Sequence, residues 1–286
     1  MDFYYSEISP ACRSVMLTAK AVGAKLNKKP INLEKKEHLK PEYIKINPQH
    51  TIPTLVDGNL KLRESRPICT YLASQHGKDE SLYPKDPKER ALVDNLLSFD
   101  MGTLSQRMKE YIAPVMFHNE KPDPEKKKNL EEALTWLNDL LEGHEFSAGN
   151  KITVADFVLI STVSSIIEAG IVDISKYKNI KAWVEKCKSK MNGYDTENGK
   201  GAKAFGEVAK SKLPNSESKK DSKDEKEPKD AKDAKDAKDD KNAKDTKDEK
   251  EGKDMKDAKE MKDPKETKDP KIEKREKTPN PKKATP

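Results

Sequence analysis

The chain has 286 residues, with 57 Lys and Arg against 51 Asp and Glu, for a formal net charge of +6. Its mean hydropathy of −1.00 averages two unlike regions: residues 1–213 mix apolar, polar and charged side chains as a folded protein does, whereas 214–286 is dominated by Lys, Asp and Glu. That second region holds 24 bases and 22 acids, a polyampholyte rather than a polycation, which excludes the concentrated basic footprint of a strong nucleic-acid binder.

Taken in chain order, Phe3-Tyr4-Tyr5 reads as a short aromatic strand. Val15 to Val22 follows as a helix with Val15, Leu17, Ala19 and Val22 as its apolar positions. Asn27 to Leu33 suits a second strand, and Pro41 to Ile46 a short helical segment. Thr51 to Val56 and Leu60-Lys61-Leu62, joined through Asp57-Gly58-Asn59, make a hairpin. Ser65 then caps a helix that stops near Gly77. The order βαβ, short helix, ββα predicts a thioredoxin-like α/β domain over residues 1–80.

Lys78 to Pro87 reads as a linker. Beyond it the pattern is helical, predicting an all-α domain over 87–209. Glu89 to Phe117 forms one long helix bent at Pro114, and Pro124 to Leu141 a second that ends at Gly143. Thr153 to Ala169 is the most apolar helix and suits the centre of a bundle. Thr153-Val154-Ala155-Asp156 opens it as a capping box with Asp in place of Glu. Lys176 to Met191 and Gly201 to Leu213 complete the domain. An α/β half followed by an all-α half implies a cleft between them.

Residues 214–286 form a third region, expected to be disordered. It holds no aromatic residue, and its only large apolar residues are Met255, Met261 and Ile272, too few to offset the entropy of folding. From Lys229 to Asp239 the triplet Lys-Asp-Ala repeats, which stacks like charges at i,i+3 on any helix. The expectation is a solvated spacer, and nothing in it identifies a partner.

Cys12, Cys69 and Cys187 are odd in number and widely spaced, so neither a disulfide framework nor a zinc motif is implied. A reducing, cytoplasmic setting fits them, and no metal is expected. The N-terminus lacks the features of a signal peptide. No apolar run approaches the ~18 residues of a membrane span.

Ser9 stands just after the first strand, at the mouth of the first helix. A helix N-terminus favours a bound anion, and a hydroxyl there can donate to a thiolate. The same serine also suits a plain N-cap before Pro10. In Asn47 to Leu55, a cis Pro53 would leave the backbone of Ile52 free to pair with an extended peptide ligand. Leu62-Arg63-Glu64-Ser65-Arg66-Pro67 offers a second helix N-terminus, suited to a carboxylate.

Met1 to Tyr5, Cys12-Arg13-Ser14-Val15, Lys45 to Asp57, Glu64-Ser65-Arg66, Phe99 to Leu104 and Thr153 to Asp156 recur in order in one family. On these runs the chain, from Met1 to about Ala209, resembles a cytosolic glutathione S-transferase of the Delta class. The resemblance implies that Ser9 stabilises the glutathione thiolate and that His38 and His50 contact the glycyl end. It implies that Ile52, before Pro53, forms the backbone clamp on the cysteinyl unit, that Thr51 also lies against glutathione, and that Glu64, Ser65 and Arg66 hold the γ-glutamyl end. Glutathione would be the co-substrate, small hydrophobic electrophiles the acceptors, and a homodimer the assembly. Organic hydroperoxides are a further substrate class open to the same thiolate. The electrophile pocket would be lined by Ser105, Met108, Tyr111, Ala113, Phe117 and Phe205.

The chain departs from the family pattern in three places, one of them Pro67 after Arg66, where a small helix-former is usual and a first helical turn tolerates proline. Ser9-Pro10-Ala11-Cys12-Arg13 moves the proline that usually stands one residue later. Ser105, Met108 and Ala113 replace positions that are often aromatic, implying a roomier pocket less dependent on stacking. The last two departures allow an alternative, a non-enzymatic ligand-binding or structural protein on the same fold. The retained set Ser9, His50 and Glu64-Ser65-Arg66 favours the enzyme.

Overall fold

A computed structural model describes residues 1–213. The charged region 214–286, expected to be a solvated spacer, lies outside the described residues.

The N-terminal sheet has four short strands, β1 (Asp2–Tyr5), β2 (Asn27–Pro30), β3 (Thr54–Asp57) and β4 (Leu60–Arg63), in the order β2-β1-β3-β4. β1 runs parallel to β2 and antiparallel to β3, with Phe3 opposite both Lys28 and Leu55. Phe3 and Leu55 are buried against the helical layer. β2 ends at Pro30 rather than Leu33, because its partner β1 ends at the paired Tyr5. β3 begins at Thr54 rather than Thr51, because the loop before it is drawn away from the sheet by its own hydrogen bonds.

The first helix, α1 (Pro10–Val22), starts earlier than its apolar pattern suggests, with Pro10 at the first helical position and Ser9 as N-cap. Gly23, at φ +72°, ends it in the left-handed conformation that glycine adopts without penalty. A short helix, α2 (Pro41–Ile44), leads toward the hairpin, and α3 (Ser65–His76) follows it. Ser65 is the first residue of α3 and not its cap: the cap is Glu64, whose side chain makes no capping bond. The stop at Gly77 has a steric basis. Its φ is −60°, and a Cβ there would sit 2.3 Å from the Ala73 carbonyl oxygen.

The helical half comprises α4 (Pro87–Phe99), α5 (Ser105–His118), α6 (Pro124–Leu140), α7 (Val154–Glu168), α8 (Lys178–Lys190) and α9 (Lys200–Lys212). The expected long helix from Glu89 to Phe117 is continuous, running from α4 to α5 through a π-helical turn over Asp100–Leu104, with Pro114 inside α5. The cause is visible at Asp100. Its carboxylate is fully buried and accepts from Arg66 of α3 and Thr162 of α7. The wider turn carries that side chain inward.

α7 is the centre of the bundle, with Leu159, Ile160, Val163 and Ile166 fully buried. Thr153 and Asp156 form the capping box at its start. Asp156 also accepts from Ser147 N–H at 2.8 Å and Trp183 Nε1–H at 2.9 Å, so one carboxylate fixes α7, the preceding loop and α8. α1 packs on both α3 and α7, which joins the two halves through a shared core.

Candidate active site

Arg13 locks the N-terminal end of α1. Its fully buried guanidinium donates to Ile8 O at 2.7 Å, Ser161 O at 3.0 Å and Asn198 Oδ1 at 3.0 Å, and also to Ser165 Oγ. One side chain thus ties the backbone beside Ser9 to α7 and to the turn before α9. Gly201 completes the fit. A Cβ there would meet the Glu7 carbonyl oxygen at 2.2 Å, so only glycine lets α9 approach so closely.

Ser9 Oγ accepts from Cys12 N–H at 3.4 Å. Capping in this way occupies a lone pair and leaves the hydroxyl proton free to donate. The capping reading and the thiolate-binding reading of Ser9 are therefore compatible. The early proline leaves Ser9 at the N-cap, facing a cleft of about 550 Å³, a volume typical of small-ligand sites.

Two other segments of the first half reach this cleft. In the loop after α2, buried Asn47 donates through Nδ2 to Thr51 O at 2.9 Å and Thr54 Oγ1 at 3.0 Å, and the Tyr43 hydroxyl donates to Thr51 O. These bonds hold His50, Thr51 and Ile52 on the cleft wall. The Ile52–Pro53 peptide is cis, and Pro53 lies behind the wall rather than on it. His38 joins them, its ring centroid 6.3 Å from that of His50. His38 Nδ1 is buried and has no hydrogen-bond partner among the described residues.

At the hairpin's end Glu64 adopts φ +65°, ψ 121°, a conformation a non-glycine residue takes only under constraint. It turns the chain sharply from β4 into α3. Glu64 and Arg66 line the cleft, and Ser65 is buried just behind them. Burial pushes the Asp100 carboxyl above the usual carboxylate range, while Arg66 and Thr162 draw it back down. Arg66 is held by this pair, with its Nε buried and free of any partner among the described residues.

The opposite wall comes from the start of α5 and the π-helical turn. Ser105 lines the cleft, as do Met101, Gln106 and Lys109, which the sequence reading did not name. Spacing could have found two of them: Met101 and Lys109 stand four residues either side of Ser105. Met108, Tyr111 and Phe205 pack in the hydrophobic core instead. Ala113 is half-buried, and Phe117 is 68% exposed. Asn47, Tyr43 and Asp100 also carried no expectation. Asn47 and Asp100 fall within the runs that carry the resemblance, and Asn47-Pro48 is also a common turn opener, but no role was attached to either.

No thiol of the chain suits nucleophilic work. Cys12, Cys69 and Cys187 are all buried. Burial pushes the Cys12 and Cys69 thiols up to about 11 and Cys187 higher still. A second depression, of about 590 Å³, lies between the linker, α4 and the start of α7. Its Thr153 hydroxyl is committed to the α7 cap and its Asp86 to the α4 cap. Its other hydroxyl, Ser81, stands in the linker and at no helix N-terminus, unlike Ser9.

The fold and cleft define a two-domain protein, a thioredoxin-like half joined to an all-helical half, with the cleft lined by side chains of both. Residues 3–81 match the glutathione S-transferase N-terminal domain, and residues 107–192 its C-terminal domain. Among solved structures, a delta-class glutathione transferase from Nilaparvata lugens is 48% identical with a TM-score of 0.72, over 74% of this chain and 99% of that one. A Bombyx mori glutathione transferase is 44% identical with a TM-score of 0.70, over 72% and 96%. A glutathione transferase homologue from Drosophila mojavensis, solved with bound glutathione, is 36% identical with a TM-score of 0.70, over 74% and 97%. The chain belongs to the glutathione S-transferase family. It is a glutathione transferase, and its likeness to a delta-class enzyme is consistent with the Delta class.

Proposed function

We propose that the chain conjugates reduced glutathione to small hydrophobic electrophiles, with Ser9 as the residue that favours the thiolate. The observation that carries this reading is the Ser9 hydroxyl. It keeps a free proton at a helix N-terminus in the cleft, while every thiol of the chain is buried. The nucleophilic sulfur must therefore arrive with the ligand.

Glutathione would lie along the sheet-side wall. Its γ-glutamyl carboxylate would meet the start of α3, with Glu64 on the ammonium and Ser65 and Arg66 on the carboxylate. Ile52 would pair with the cysteinyl backbone as an added strand does, with Thr51 and Pro53 shaping that clamp. His38 and His50 would take the glycyl carboxylate. The Ser9 O–H then donates to the sulfur. A free thiol has a pKa of about 8.5, so donation to the anion raises the nucleophile fraction at neutral pH. The thiolate attacks the electrophilic carbon, a C–S bond forms, and the leaving group departs with the electron pair. Reduction of organic hydroperoxides by the same thiolate is a second activity of this site. A homodimer working in the cytoplasm is the expected assembly and setting, supported by family membership.

Retention on immobilised glutathione, followed by conjugation of a chlorodinitrobenzene, tests the reading. The wild type should be retained and turn over. Ser9→Ala should lose roughly 10²-fold in turnover, the scale for removing one donor to a developing anion, while binding changes little. Turnover unchanged at saturating glutathione would remove Ser9 from the mechanism.

A further inference from the structure

We propose that the helical wall of the cleft contains an anion subsite built around Lys109, which selects electrophiles that carry a carboxylate beside an apolar body. The inference rests on the reading that this cleft conjugates glutathione, and it assigns the acceptor's chemical class.

Three observations converge on it. The first is placement. Lys109 lies one helical turn beyond Ser105, and residues four apart on a helix are neighbours on one face. Both line the cleft, together with Gln106 and Met101. The second is the accounting of charge. Arg66 pairs with Asp100 and is assigned to glutathione's own γ-glutamyl carboxylate, and Arg107 is taken by Glu132 and the face of Trp136. Gln106 donates to Glu110. Lys109 has no ion-pair partner among the described residues. Glu64 is the acidic group lining the cleft, and it stands on the sheet-side wall where the ligand's ammonium is assigned. The third is shape. Met101 is 52% exposed and offers a soft apolar surface beside the cation. The positions lining this wall present no aromatic ring.

An acceptor that fits these groups has an apolar reacting end against Met101 and an acid reaching Lys109, with the hydroxyl of Ser105 able to donate to the same acid. Such a contact is partly solvated. It therefore adds selectivity rather than large affinity, and salt weakens it.

The test compares two acceptors with one reaction, a neutral chlorodinitrobenzene and a chlorodinitrobenzoate with one added carboxylate. In each, the glutathione thiolate attacks the carbon bearing chlorine, the C–S bond forms, the C–Cl bond breaks, and chloride leaves with the electron pair. The readout is the ratio of kcat/KM for the anionic acceptor to that for the neutral one. Lys109→Gln should lower this ratio about two- to fivefold, the scale of an exposed ion pair, and Lys109→Glu should lower it further. Raising the ionic strength should bring the wild-type ratio toward that of Lys109→Gln. Lys109 is exposed, and equal melting temperatures would show both variants folded. A ratio that stays within twofold in Lys109→Glu overturns the subsite and leaves the conjugation reading standing. No turnover of either acceptor by the wild type overturns the conjugation reading and the subsite with it.

Discussion

On the sheet side of the cleft, His50 and Glu64 hold φ at +45° and +65°, and buried Tyr43, Asn47 and Asp100 brace the segments that carry them. On the helical side, Met101, Ser105, Gln106 and Lys109 stand on a helix and its preceding π-helical turn, with Met101 and Lys109 exposed to solvent. The first wall takes its shape from backbone turns and buried partners, so changing one member disturbs the others. The second takes its character from single side chains, each of which can change without moving the fold. A transferase built this way can keep one thiol ligand while its acceptors vary.

Arg66→Ala is the sharpest way to break the braced wall. It leaves the fully buried Asp100 carboxylate without its cation, and removing one partner of a buried pair costs about 3–5 kcal/mol. Thermal unfolding and glutathione kinetics should therefore worsen together, with a raised KM. Loss of Arg66 raises the Asp100 pKa further above its unfolded value. The variant's defect should accordingly shrink as pH falls and the carboxyl is protonated, and grow as pH rises. A variant as stable as the wild type would show that the pair is not a brace.

Beneath the same wall lie two buried thiols, Cys12 under Ser9 and Cys69 in α3. Both are raised from 9.0 to about 11 by burial. In the window between those values the unfolded chain releases protons that the folded chain keeps, so stability falls as pH rises. The loss should reach about 3 kcal/mol per thiol once both states are ionised. Melting temperatures from pH 8 to pH 11 check this, with Cys69→Ser removing part of the slope. A flat profile through that window would contradict it.

The helical wall should yield the smallest change. Gln106→Ala touches an exposed side chain whose bond is to Glu110 on its own helix, so stability should stay within about 0.5 kcal/mol. A larger loss by thermal unfolding would show that this wall is braced after all.

The sequence carried the first wall better than the second for the same physical reason. Ser9 before a proline, the Ile-Pro pair opening a strand, and Glu64-Ser65-Arg66 at a helix start are local patterns, and each maps onto the cleft or directly behind it. The π-helical turn was not legible, because it answers to a long-range partner: Asp100 reaches Arg66 and Thr162, residues far away in sequence. Pro114 reads as a bend within one helix, and it lies inside α5. On α5, the resemblance places Met108 and Tyr111 along the electrophile pocket, while both side chains are buried in the core, as large apolar residues on a helix commonly are. The polar Lys109 drew no notice.

The central claim is that Ser9 acts on the sulfur of bound glutathione and not on the rest of the ligand. Titrating the thiolate absorbance of enzyme-bound glutathione against pH, in the wild type and in Ser9→Ala, measures this directly. The wild type should hold the bound thiol's pKa well below the ~8.5 of a free thiol. Ser9→Ala should return it toward that value while glutathione still saturates the site. An equal pKa in the two proteins, with glutathione bound in both, would contradict the account.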